Sequence, residues 1–262
     1  GNLDQALAST LKSLELIPDN PTAHMNLGSI YKDLGNLDQA LNSTLKSLEL
    51  KPDNPGASRN LKAFIDQLNI SPSNTKDVTQ AYELLLNQTD IPSKKLSKIF
   101  LQVFLPIIQK ASSSDPIISG GNQALKALAA DWRFLKSLTL MIPLNPEAEA
   151  FLTRLRKELL KLTIQMGTVP EQLKYLTESL AAQCFLNEYV YASSEEEDDS
   201  VDQLIEAAAN NQEDTNRYLA IIGCYKAIYT TGISPEFINN YPTPNNSSKE
   251  LISAQFKEPR QE

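Results

Sequence analysis

The chain has 262 residues, 41% of them hydrophobic and 21% charged, which is the composition of a globular protein with material for one large or two ordinary domains. Its net charge of −8 is uneven: residues 192–216 hold nine acidic side chains and no basic one, leaving the remainder near +1. Such a balance excludes a general nucleic-acid surface, which needs clustered Lys and Arg to displace phosphate counterions.

Residues 1–21 and 35–55 carry almost the same text, GNLDQALASTLKSLELIPDNP and GNLDQALNSTLKSLELKPDNP, identical at 19 of 21 positions. The offset of 34 residues is the period of a helical-hairpin repeat. One complete repeat runs over residues 21–54. Its spacing predicts a first helix over 23–33, carrying Leu27, Gly28 and Tyr31, and a second over 37–50, carrying Ala40, Leu41, Leu45 and Leu48. Small residues at Gly28 and Ala40 allow two backbones to approach closely while the large apolar side chains fill the space around them. Gly35 follows the first helix, where positive φ ends it, and Pro52 stops the second ahead of the Asp53-Asn54-Pro55 turn.

The run PTAHMNLGSIYKDLGNLDQAL resembles the Leu-Gly-x-x-Tyr…Gly…Ala pattern of the tetratricopeptide family, and Pro52 matches its closing proline. His24 stands where that family often has a bulky residue and is expected to pack there; Thr44 and Ser47 replace its usual aromatic and alanine, which should soften the packing. Residues 1–20 read as the second helix of a preceding repeat. In the third unit, 55–68, Asn60-Leu61 aligns with Asn26-Leu27 but Lys62 replaces Gly28, as in a capping helix. Solenoid units bury their faces only against neighbours, so further repeats are expected upstream.

After the polar joint Ser71-Pro72-Ser73-Asn74 the pattern stays helical. Val78, Tyr82, Leu85 and Leu86 give one apolar face; Leu96, Ile99, Phe100, Val103, Phe104 and Ile107 give another, with Pro106 expected to kink or end that helix. A loop is predicted over 112–121, then helices carrying Leu125, Leu128, Trp132, Leu135 and Leu138; Phe151, Leu152, Leu155, Leu159 and Leu162; and Leu173, Leu176, Leu180, Phe185 and Tyr189. Two more follow near 201–209 and 216–229, with a short last one after Ser234-Pro235-Glu236. The expected fold is all-α: a short helical-hairpin solenoid over 1–70, an irregular helical domain over 71–240, and a linker over 241–262.

The phrases LAADWRFLKSLTLMIPLNPEAEAFLTRLRKELL and YLAIIGCYKAIYTTGISPEFI, within 120–262, resemble a helical segment of certain bacterial repeat proteins. In those proteins it precedes a class I S-adenosylmethionine-dependent methyltransferase domain. The resemblance implies a substrate-recruiting region whose catalytic domain, and S-adenosylmethionine with it, lies beyond residue 262. The glycine-rich strand-to-helix turn of such a domain is absent from the sequence, whose only adjacent glycines are Gly120-Gly121.

The functional expectation is a non-catalytic interaction module. In the superhelical repeats of O-GlcNAc transferase-like proteins an asparagine before the Leu-Gly pair lines the concave groove and bonds an extended peptide backbone. The resemblance places Asn26 and Asn60 there, with Met25, Ser29, Lys32 and Asp33 sharing the face or its rim. No catalytic or metal-binding set is expected: His24 is the only histidine, and Cys184 and Cys224 have no CxxC spacing. Both cysteines, Trp132 and Tyr225 are read as core. The acidic run 195–199 lacks the pattern of a calcium loop and is read as a solvated linker favouring a helix start. With no apolar run long enough for a bilayer, the expected setting is cytoplasmic and the expected partner a protein or extended peptide.

Overall fold

The computed structural model describes residues 2–88, 91–242 and Gln255. The described chain is helical throughout and contains no strand. It divides into two compact units, 1–103 and 104–262.

The first unit opens with three helices, α1 (Asn2–Leu16), α2 (Pro21–Asp33) and α3 (Leu37–Leu50). Each PDNP turn starts the next helix: Asn20 accepts from the amides of Thr22 and Ala23, and Asn54 from those of Gly56 and Ala57. Proline follows each cap in the first turn, where its missing N–H costs nothing. Gly35, at φ +78°, ends α2 in the left-handed conformation. The α2–α3 hairpin buries Leu27, Ile30, Ala40, Leu41, Leu45 and Leu48.

A Cβ on Gly28 would lie 2.5 Å from Thr44 Oγ1 and 3.3 Å from the Ala40 carbonyl, so the close approach predicted there is real, with Thr44 as its tightest point. Ser47 does not soften the hairpin. It is fully buried, donates to the Pro21 carbonyl at 2.7 Å and accepts from Asn54 at 3.0 Å, joining the turns on either side of the repeat. His24 is not core either; its ring nitrogen donates to the Pro18 carbonyl at 2.8 Å, closing the preceding turn.

The next two helices are shorter. Helix α4 (Pro55–Phe64) runs into one 3₁₀ turn, and α5 (Thr75–Leu86) packs back on α3. The joint between them is fastened down: Asn74 donates to Asp38 at 2.7 Å and to the Asn69 carbonyl at 3.0 Å. The first turns of α6 (Ser93–Ser112) complete the unit. Lys95 donates to the Lys62 carbonyl and pairs with Asp66, and Lys98 donates to the Asp66 carbonyl, so cations meet carbonyls near the end of α4. Pro106 neither ends nor interrupts α6, which continues to Ser112. The boundary between the two units falls inside this helix, beyond the joint at 70–71 from which the sequence dates the helical domain.

The second unit contains α7 (Gln123–Ala130), α8 (Trp132–Leu138), α9 (Pro146–Met166), α10 (Lys174–Leu186), α11 (Glu195–Asn210), α12 (Gln212–Ile222) and α13 (Pro235–Asn239). Helix α10 lies among α8, α9 and α12 and is buried without a break from Leu176 to Cys184. A helix covered on all sides must satisfy its polar groups internally. Thr177 donates to the Leu173 carbonyl, Glu178 accepts from Tyr241, and Gln183 accepts from Tyr191, while the Gln183 amide nitrogen is buried without a partner among the described residues. Cys184 and Cys224 are free and buried, as expected of core residues.

Two sequence expectations fail here. Trp132 is 47% exposed, because Asp131 caps α8 and turns its first residue outward; Phe134 is the buried aromatic, edge-on to Phe104 at 5.3 Å. The acidic run is helix, not linker. Ser194 and Glu197 form a reciprocal capping box that starts α11 at Glu195, and four carboxylates in the first turn suit the positive end of the helix. Of the expected linker, most lies outside the described residues; Tyr241 is buried with its hydroxyl on Glu178, and Gln255 donates to the Ala181 carbonyl.

Candidate functional site

The six residues assigned to a groove lie on α2 and α4, and the fold treats them differently. Asn60 is committed to the scaffold. Its amide nitrogen donates to the Met25 carbonyl at 3.0 Å and to Ser29 Oγ at 2.8 Å, tying α4 to α2 across 35 and 31 residues of sequence. Both amide protons are thereby used, and Oδ1 is the atom left to accept from a ligand.

Met25 is half-buried because α4 runs beneath it. A Cβ on Gly56 would lie 2.1 Å from Met25 Sδ, so glycine at the start of α4 gives the thioether its seat. Ser29, also half-buried, serves chiefly as the acceptor for Asn60. Lys32 and Asp33 pair with each other at 3.1 Å near the end of α2, an exposed pair of little energetic weight.

Asn26 differs from the rest. It is exposed and its amide has no partner among the described residues. A primary amide offers two donors and one acceptor, the complement of a peptide unit, so this side chain is free to do what Asn60 does within the fold.

The second unit holds a polar network that the sequence did not announce. Arg156 is 1% exposed; it donates to the carbonyls of Tyr191 and Ala192 at 3.2 and 2.7 Å, and its guanidinium lies 4.2 Å from the Tyr225 ring centre. The Tyr225 hydroxyl donates to Glu197 at 2.9 Å, and Lys157 meets the same carboxylate at 3.2 Å. Burial alone would raise the Glu197 carboxyl, but hydrogen bonds from Ser194, Tyr225 and Lys157 outweigh it and hold the group below its usual range. Burial pushes the Tyr191 and Tyr225 hydroxyls well above theirs, so both remain neutral donors. The network joins α9 to the chain entering α11 and is structural in character. The only signal for it in the sequence is an arginine inside an apolar helical stripe.

Stacked antiparallel helix pairs, with a 34-residue interval and small residues where the helices touch, define a helical-repeat solenoid. Residues 21–54 match the family model for the tetratricopeptide repeat, and such a repeat is a protein-interaction module. No curated protein and no solved structure matches the chain significantly. Nothing in these comparisons supports the resemblance of residues 120–262 to a segment preceding a methyltransferase domain. Among the described residues no helix is long and apolar enough to cross a membrane, and no group of three or more His, Cys, Asp or Glu side chains is placed to hold a metal ion.

Proposed function

We propose that the face formed by α2 and α4 binds an extended segment of a protein partner, with Asn26 as its main polar contact and Asn60 Oδ1 as a second acceptor. The supporting observation is the unpaired, exposed amide of Asn26 at the position equivalent, one repeat earlier, to Asn60. Main-chain recognition by a side-chain amide fixes the direction of a peptide while placing few demands on its sequence. Lys32 and Asp33 at the rim select against partners by charge more than they add affinity.

Site-specific photo-crosslinking tests the location. Peptides selected from a random library on the whole protein are incubated with chains carrying a photoreactive residue at position 33, on the rim of the face, or at position 166 in the second unit. Capture at 33 and not at 166 supports the assignment; capture at 166 alone, or at neither position, contradicts it.

A further inference from the structure

A cleft of about 460 Å³ opens on the second unit between the chain leading into α9 and the end of α10. That volume lies in the range of ligand cavities, about 300–1,000 Å³. Its walls are apolar: Leu144 and Ile142 on one side, Leu186 and Val190 on the other. Leu144 and Val190 are 65% and 78% exposed, an unfavourable display of aliphatic surface at one place.

Besides the Tyr191 hydroxyl, which is spent on Gln183, the polar side chains of the cleft are two carboxylates and one amide. Glu149, in the first turn of α9, and Glu188 line it, are exposed, and form no ion pair with another described residue. Asn187 also lines the cleft; the residue is only 6% exposed, yet its buried Oδ1 has no hydrogen-bond partner. A buried acceptor left open beside two unpaired carboxylates calls for a donor carrying positive charge.

The backbone supports this arrangement. Glu188 and Tyr189 both adopt left-handed conformations, at φ 56° and 60°, which is unusual for residues with side chains. The strain is held by the Tyr189 amide donating to the Cys184 carbonyl at 2.9 Å and by Arg156 gripping the carbonyls of Tyr191 and Ala192. The loop is thus fixed with Glu188 and Val190 presented outward.

We propose that this cleft is a second docking site, for a protein segment that places an arginine or lysine between aliphatic residues. The cation is met by Glu149, Glu188 and Asn187 Oδ1, and the flanking aliphatic side chains cover Leu144 and Val190. A free cation leaves the walls exposed, and an acidic or purely apolar segment leaves the acceptors unmet.

The test uses the whole chain, ¹⁵N-labelled, titrated with acetyl-Leu-Arg-Leu-amide, acetyl-Leu-Glu-Leu-amide and arginine amide. The arginine tripeptide should shift the amide resonances of Asn187, Glu188 and Val190, bind at least fivefold tighter than either other probe, and weaken at least fivefold against Glu149→Gln/Glu188→Gln. Both glutamates are exposed, so the variant should keep the wild-type unfolding midpoint, and Leu144→Ser/Val190→Ser should weaken the tripeptide independently of charge. Equal binding of the glutamate tripeptide, equal binding of arginine amide alone, shifts confined to other residues, or no shifts at all would overturn the proposal. Asn26→Ala should leave this titration unchanged, which separates its outcome from that of the α2–α4 face.

Discussion

The amide nitrogen of Asn60 lies 3.0 Å from the carbonyl oxygen of Met25, bridging two helices that begin 34 residues apart. This bond and its neighbour on Ser29 Oγ give two equivalent asparagines unequal roles, one in the scaffold and one facing solvent. Asn60→Ala should lower the unfolding free energy by about 1–3 kcal/mol, the usual range when partly buried hydrogen bonds lose a partner. Asn26→Ala should change it by no more than about 0.5 kcal/mol. Urea denaturation of the two variants checks the difference, and equal losses would refute the distinction.

The approach of α2 and α3 makes a second prediction. Gly28→Ala should destabilise the first unit by about 1–3 kcal/mol, because the new methyl collides with Thr44 Oγ1 at 2.5 Å. Thr44→Ala removes that atom, so Gly28→Ala/Thr44→Ala should recover part of the loss. Recovery is incomplete because the Ala40 carbonyl still lies 3.3 Å from the added carbon. A double-mutant cycle by thermal unfolding measures the coupling; additive losses would place the collision elsewhere.

Glu197 should make the second unit acid-sensitive. Its folded pKa lies below the ordinary value of 4.5 because Ser194, Tyr225 and Lys157 donate to the carboxylate against the cost of burial. A depressed folded pKa contributes stability that is fully present above 4.5 and is lost as pH falls through the folded value. Stability should therefore fall as the pH drops below 4.5, and fall less steeply in Glu197→Gln. Identical pH profiles for the two proteins, followed by circular dichroism in urea, would remove Glu197 from the account.

The α2–α3 hairpin is legible in the sequence because a duplicated text exposes its own period, and small, apolar and turn residues recur in register. The roles of Asn60 and Asn26 are not legible, since they depend on which helix lies beside each amide. Trp132 misleads for a local reason: helical spacing places it on an apolar stripe, but the Asp131 cap begins a new helix there and resets the facing. The acidic run hides a helix because charge density reads as solvation, and only Ser194 and Glu197 three residues apart mark the start. Arg156 lies at a core position of α9, and its partners come from the loop before α11 and the turn after α12, both distant in sequence. The α10 environment likewise exists only once three other helices surround it.

Asn26 is the residue proposed to recognise a partner's extended backbone on the α2–α4 face. Isothermal titration of the whole protein with a library-selected peptide, compared between wild type and Asn26→Ala, tests it most directly. A loss of at least tenfold in affinity at an unchanged unfolding midpoint is the predicted result, and unchanged affinity would contradict it.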